Sequence, residues 1–87
     1  ETFSISPIYP NPFNPVTNFE IEIPNYSRTS INVYNLKGQL IDIIYSGYLP
    51  KGTHIMKWNA NSFPSGVYFI SMIVESNIYS QKAILLK

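Results

Sequence analysis

The 87-residue chain has no cysteine, one histidine and one aspartate. Without cysteine there is no disulfide framework, no thiolate metal site and no cysteine nucleophile. A single histidine and a handful of scattered carboxylates give no metal-ligand spacing, and no glycine-rich phosphate loop is present, so no cofactor is expected. Charged residues make up 13% of the chain, about half the usual quarter. Six Lys and Arg against five Asp and Glu leave a net charge of +1. Nucleic-acid backbones are bound by several clustered cations that displace counterions, so a nucleic-acid partner is excluded. No run approaches the ~18 apolar residues of a membrane-spanning helix, and no signal peptide is visible. Because the chain begins at Glu1 without an initiator Met, it reads as either an excised fragment or a processed product, and if the parent protein is exported its signal is expected upstream. Few catalytic groups remain, and the expectation is a non-enzyme.

What is present is apolar and β-forming. Hydrophobic residues make up 45% and aromatic residues 15%, including thirteen Ile, seven Tyr and five Phe. Apolar residues recur with a period of two, which marks half-buried strands, and no segment carries the helical spacing. In Thr17–Ile23, Phe19, Ile21 and Ile23 share one face while Glu20 and Glu22 share the other. Pro24-Asn25 ends that strand. Ser30–Asn35 points Ile31 and Val33 inward, and Asn35-Leu36-Lys37-Gly38 turns the chain into Gln39–Tyr45. There Ile41, Ile43 and Tyr45 are expected on one face. Ser46–Gly52 reads as a loop from its Gly and Pro content. Thr53–Trp58 places His54, Met56 and Trp58 in phase, and Asn59–Gly66 is a second breaker-rich connection. Val67–Glu75 and Ile78–Lys87 read as a hairpin around Ser76-Asn77. Its core face carries Tyr68, Ile70, Met72 and Val74 with Tyr79, Gln81, Ala83 and Leu85, while Ser71 and Lys82 mark the wetter face. With an N-terminal Phe3–Ile8 segment, seven short strands result. Seven strands in under about 100 residues predict an antiparallel, immunoglobulin-like β-sandwich, formed by one domain over residues 1–87.

Several residues have two readings. His54 lacks a partner by spacing and reads as a structural side chain at a sheet edge rather than a general base. Glu20 and Glu22 lie roughly 6.5–7 Å apart along one strand face, the lower end for an inverting glycosidase pair. Ordinarily such carboxylates solubilise a strand and guard it against edge pairing. Tyr26, Tyr34, Tyr45, Tyr48 and Trp58 are either core residues with a polar tip or stacking platforms of a carbohydrate-binding sandwich.

Tyr9-Pro10-Asn11-Pro12-Phe13-Asn14-Pro15 is the most distinctive segment. Proline fixes φ and pushes its predecessor to extended geometry, so residues 7–15 are expected to form a stiff, polyproline-like arm. Tyr9 and Phe13 can pin it to the sandwich.

The arm, read with Thr17, Val33-Tyr34-Asn35-Leu36-Lys37-Gly38-Gln39, Gly52-Thr53-His54, Trp58, Ser65-Gly66-Val67-Tyr68-Phe69, Lys82 and Leu86-Lys87, resembles the type A C-terminal sorting domain of the type IX secretion system of Bacteroidetes. Asn59-Ala60 after Trp58 departs from the Asp-Gly frequent in that family. The immunoglobulin-like domain of flagellar hook-capping proteins is similar in part. The resemblance implies a seven-strand sandwich that is the last module of a secreted protein. Its partners would be an upstream cargo domain, the outer-membrane secretion machinery and a sortase-like protease, with the cell surface or exterior as destination. Recognition is expected at Pro10, Asn11, Pro12, Gly66, Tyr68, Lys82 and Lys87, with the arm spacing the sandwich from its cargo. The structural reading of the same residues makes Gly66 a turn former, Tyr68 core and the two lysines edge guards. An exposed edge strand would also allow a weak homodimer. The alternative function is an accessory β-sandwich of an extracellular hydrolase, glycan-binding or structural.

Overall fold

Alternating apolar side chains form strands because every second residue can be buried while the ladder satisfies the backbone. The structure, a computed structural model, describes residues 2–87; Glu1, at the start of the expected domain, lies outside the described residues. Seven strands are formed: β1 (Ser4–Ile5), β2 (Val16–Ile23), β3 (Ser27–Asn35), β4 (Leu40–Leu49), β5 (Gly52–Asn59), β6 (Gly66–Val74) and β7 (Asn77–Leu85). They make two antiparallel sheets, ordered β1-β2-β5 and β4-β3-β6-β7. In immunoglobulin lettering this is A-B-E against C′-C-F-G. The predicted all-β sandwich is the fold observed.

The core lies between the sheets. Phe19, Ile21 and Ile23 of β2 face Ile31 and Val33 of β3, Ile70 and Met72 of β6, and Ala83 and Leu85 of β7, all buried. Trp58 sits at one pole of this core, its ring 5.5 Å from Phe13, 5.9 Å from Phe63 and 5.3 Å from Tyr68. Its Nε1–H donates to Asp42 Oδ2 at 2.9 Å. The one aspartate of the chain therefore serves as the acceptor for the buried indole. No buried side-chain nitrogen or oxygen among the described residues lacks a partner.

Four elements differ from expectation. First, Ser46–Leu49 is not loop; it extends β4, which pairs with β3 as far as Ser27↔Leu49. Pro50 and Gly52 mark only the corner around Pro50-Lys51, while Gly47 lies inside β4 opposite Thr29. Second, simple alternation fails in β4, because the β3–β4 register shifts between Ile31 and Asn32 and again between Val33 and Tyr34. Each irregularity leaves an extra β4 residue and changes the phase. Ile41, Ile44 and Tyr45 consequently pack against the core, while Ile43, expected inside, is 55% exposed. Third, the last hairpin turns at Glu75-Ser76, with Val74 opposite Asn77 and Glu75 at φ 57°. Moving a two-residue turn by one position changes the register by two, so both faces keep their predicted residues. Ser71, on the outer face, is nevertheless buried, sharing a 2.7 Å hydrogen bond with Ser80. Fourth, the N-terminal strand is only Ser4–Ile5, although Ser6 N–H still donates to Glu20 O.

The Asp42–Trp58 bond makes a testable demand. Asp42→Ala leaves the indole N–H unsatisfied and is expected to lower unfolding free energy by about 1–3 kcal/mol, whereas Asp42→Asn retains an acceptor and costs less than about 1 kcal/mol. Urea unfolding followed by Trp58 fluorescence measures both.

Candidate functional site

The proline-rich segment is not a spacer. It is a strap across one pole of the sandwich, tied to both sheets. Proline carries no N–H, so the segment has few backbone donors, and the residues between the prolines supply the bonds. The bonds Tyr9–Pro10, Asn11–Pro12 and Asn14–Pro15 are cis. Tyr9 exchanges two backbone hydrogen bonds with Asn18 of β2, at 2.9 and 3.0 Å. The buried Thr17 hydroxyl donates to Pro10 O at 2.7 Å. The strap then crosses to β7, the outer strand of the other sheet. Asn11 Nδ2 donates to Lys82 O and Asn11 Oδ1 accepts from Ile84 N, each at 2.8 Å. Phe13 N–H donates to Ile84 O at 2.9 Å, and Phe13 O accepts from Leu86 N at 3.0 Å. The chain then enters β2 at Val16, with Pro15 O accepting from Ala60 N just past the end of β5.

Four outward groups of β7 (Lys82 O, Ile84 N, Ile84 O and Leu86 N) are thus paired by two strap residues. The Asn11 side-chain amide substitutes for a peptide unit, and Phe13 forms a parallel bridge opposite Leu85. An exposed strand edge invites unwanted pairing, so this cover protects the end of the last strand. The Phe13 ring, 3% exposed, enters the core beside Trp58. Tyr9, expected to help pin the segment, is 78% exposed and contributes only backbone.

Of the expected recognition residues, Pro10, Asn11, Pro12, Lys82 and Lys87 are exposed at or beside this strap, and Gly66 is half-buried. Lys87 ties the chain end to the β5–β6 loop: its N–H donates to Ser65 Oγ at 3.0 Å and its Nζ to Asn61 O at 2.6 Å. Gly66 keeps an ordinary backbone, and a Cβ there would meet only the Tyr68 ring edge at 3.9 Å. The fold therefore does not require glycine at this position. Tyr68 is buried, and its hydroxyl donates to Pro64 O at 2.6 Å, four residues upstream. This matches the tyrosine corner of immunoglobulin-like sandwiches on the equivalent strand. Burial holds its phenol above the ordinary tyrosine value. Tyr68 positions the corner and keeps only 5% of its surface exposed. A shallow depression of about 400 Å³ separates Gly66 and Val67 from the Leu36-Lys37 turn.

Sequence reasoning missed the double bond of Asn11, and Asn61 and Ser65 as partners of Lys87. Asn11 carried a legible signal: flanked on both sides by proline, it has a side chain able both to donate and to accept. Elsewhere, Trp58 is core, and His54 Nε2 lies 2.8 Å from Pro50 O on an edge strand. Tyr26 and Tyr48 are exposed and stack on each other at 5.2 Å, far from the strap in sequence and register.

Residues 7–86 match the family model described as the secretion system C-terminal sorting domain. The chain belongs to that family. It is a sorting signal for type IX secretion, and its destination is the cell surface or the exterior, across the outer membrane. A sorting domain implies a cargo protein linked through it to the secretion machinery. Among solved structures, the sorting domain is similar to the 1.4 Å crystal structure of an uncharacterized protein from Bacillus anthracis str. Ames, with TM-score 0.65. That likeness covers 85% of this chain and 73% of the other at 15% identity, so it shows the fold alone. No curated protein matches the sorting domain in sequence.

Two measurements probe the strap and its corner. In Asn11→Ala the Ile84 amide is expected to exchange hydrogen about tenfold faster or more while the Leu86 amide, held by Phe13, keeps its protection. Stability should fall by about 1–2 kcal/mol. For Tyr68, a folded-state pKa above the unfolded value means that stability is full below the unfolded value, about 10, and declines as pH rises through the folded value. Tyr68→Phe is expected to remove that part of the alkaline decline in unfolding curves.

Proposed function

We propose that residues 1–87 act as one non-catalytic module, the end-piece of a larger exported protein, read at the strap pole. On this reading Pro10, Asn11, Pro12, Gly66, Lys82 and Lys87 form the surface that the outer-membrane machinery recognises, while Tyr68 holds its corner from beneath. A sortase-like protease then separates cargo from signal. The chemistry belongs to cargo and machinery, which accords with a chain so poor in titratable groups.

The observation that carries this reading is the clasp between strap and last strand. The family match begins at Pro7 and closes at Leu86, and those two ends of the sequence are hydrogen-bonded to each other through Asn11, Phe13, Ile84 and Leu86. The signal is therefore a composite of the first and last segments and needs the folded domain.

Fused to an exported reporter in a type IX-competent host, the chain is expected to carry the reporter to the surface; retention in the periplasm, where an authentic sorting domain succeeds, sinks the reading. Deleting residues 82–87 should abolish delivery, and Tyr48→Ala should leave it intact. Gly66→Ala is the sharper test. It should change unfolding free energy by less than about 0.5 kcal/mol, so reduced delivery in that variant reports recognition rather than folding.

A further inference from the structure

The two outer faces of the sandwich differ in chemistry. On the three-stranded sheet, β2 and β5 place Glu20, Glu22, Asn18, Thr53 and Lys57 outward, with Ile55 exposed among them and Tyr9 of the strap lining the same depression. The four-stranded sheet is the opposite. Its register aligns Leu40, Tyr34, Phe69 and Lys82 in one row across all four strands. Leu40 is 51% exposed and Phe69 37%, with Ile43 beside them at 55% and Ile78 at 66%. Outward positions on these strands carry two cations, Arg28 and Lys82. Asp42 opposes the inward Val33 and turns to Trp58. The one nearby carboxylate is the exposed Glu75, just past the end of β6 at the level of Arg28.

We propose that the outer face of the four-stranded sheet docks the sorting domain onto the secretion machinery, against an apolar protein surface rimmed by carboxylates. The proposal rests on the sorting function and adds to the strap pole a second surface, continuous with it through Lys82. Charge decides the occupant. A second copy related by a twofold axis would bring two Arg28 and two Lys82 into one interface, with only the two Glu75 carboxylates at its margin to offset four cations. An anionic membrane would gain only about 1 kcal/mol from each of two cations. An acid-rimmed protein surface meets the cations at the edge and the Leu40–Tyr34–Phe69 row at the centre, where aromatic residues contribute most.

The test uses the reporter fusion with the full 87-residue chain. Phe69→Lys and Ile43→Lys each bury a lysine in the proposed interface, and Ile55→Lys places the same charge on the opposite face. Both face variants are expected to reduce surface delivery about tenfold or more, with Ile55→Lys within about twofold of the unaltered fusion. Thermal unfolding read by Trp58 fluorescence establishes that all three fold. The single change Arg28→Glu, remote from the strap pole, should also reduce delivery, by opposing the acidic rim. Delivery of folded Phe69→Lys and Ile43→Lys at the unaltered level overturns the docking face while leaving the sorting reading in place. Failure of the unaltered fusion overturns both. Sedimentation of the isolated domain, and its flotation with vesicles of mixed neutral and anionic phospholipid, complete the test. Dimers or vesicle binding abolished by Phe69→Lys would assign the face to a second copy or a membrane and reject the proposal; a monomer that ignores vesicles supports it.

Discussion

Phe13 joins the beginning of the domain to its end. Its ring fills the pole of the core against Trp58, and its backbone pairs with Ile84 and Leu86 on the outer edge of β7. Burial of an aromatic ring of this kind contributes about 3–5 kcal/mol, a large share of the ~5–15 kcal/mol that holds a small domain together. Remove that anchor and Asn11 loses its register, the edge of β7 opens, and the loop beneath Lys87 loses the Trp58–Phe63–Tyr68 cluster that supports it. The pole is cooperative because one residue serves both sheets.

The same economy governs the polar groups. A sandwich with few charges cannot rely on ion pairs to specify its structure, and here single hydrogen bonds do that work at defined positions. Asp42 holds the Trp58 indole, Tyr68 reaches back to Pro64, Thr17 secures Pro10 and Asn11 substitutes for a missing strand. Trp58, Tyr68 and Thr17 are buried and Asp42 is half-buried, where an unmade bond costs more than a made one gains; the Asn11 bonds lie at the exposed edge. The edges are managed by different means: a strap over the end of β7 and register irregularities along β4.

Much of this was legible in the chain. Strict alternation in β2, β5, β6 and β7 revealed the inward residues, because a period-two pattern has only two phases and Glu20, Glu22 and Lys57 identify the wet one. The strand count gave the sandwich. Alternation failed in β4, where Ile41, Ile43 and Ile44 are chemically alike and nothing in their order reveals an irregular register. The turn at Glu75-Ser76 was missed by one position because neither it nor Ser76-Asn77 contains glycine. The proline-rich segment was read as a stiff spacer arm pinned by Tyr9 and Phe13, and of those two only Phe13 enters the core. The segment's actual role depends on Asn11 and Phe13 meeting residues more than 70 positions away, which no local pattern can encode. Among the expected recognition residues, Tyr68 proved interior and the others lie at or beside one pole.

The direction of the chain through the fold has a mechanical consequence. Residues 4 and 5 pair with the far end of β2, the strap runs towards the opposite pole, and Phe13 lies parallel to β7. A pull on the N-terminal side, with the C-terminal end held, is therefore directed along two parallel segments that point the same way. The bonds from Asn11 and Phe13 to β7 then bear load together, in shear, rather than parting one after another like a zipper. A tug from the cargo side tests the strongest geometry the domain has.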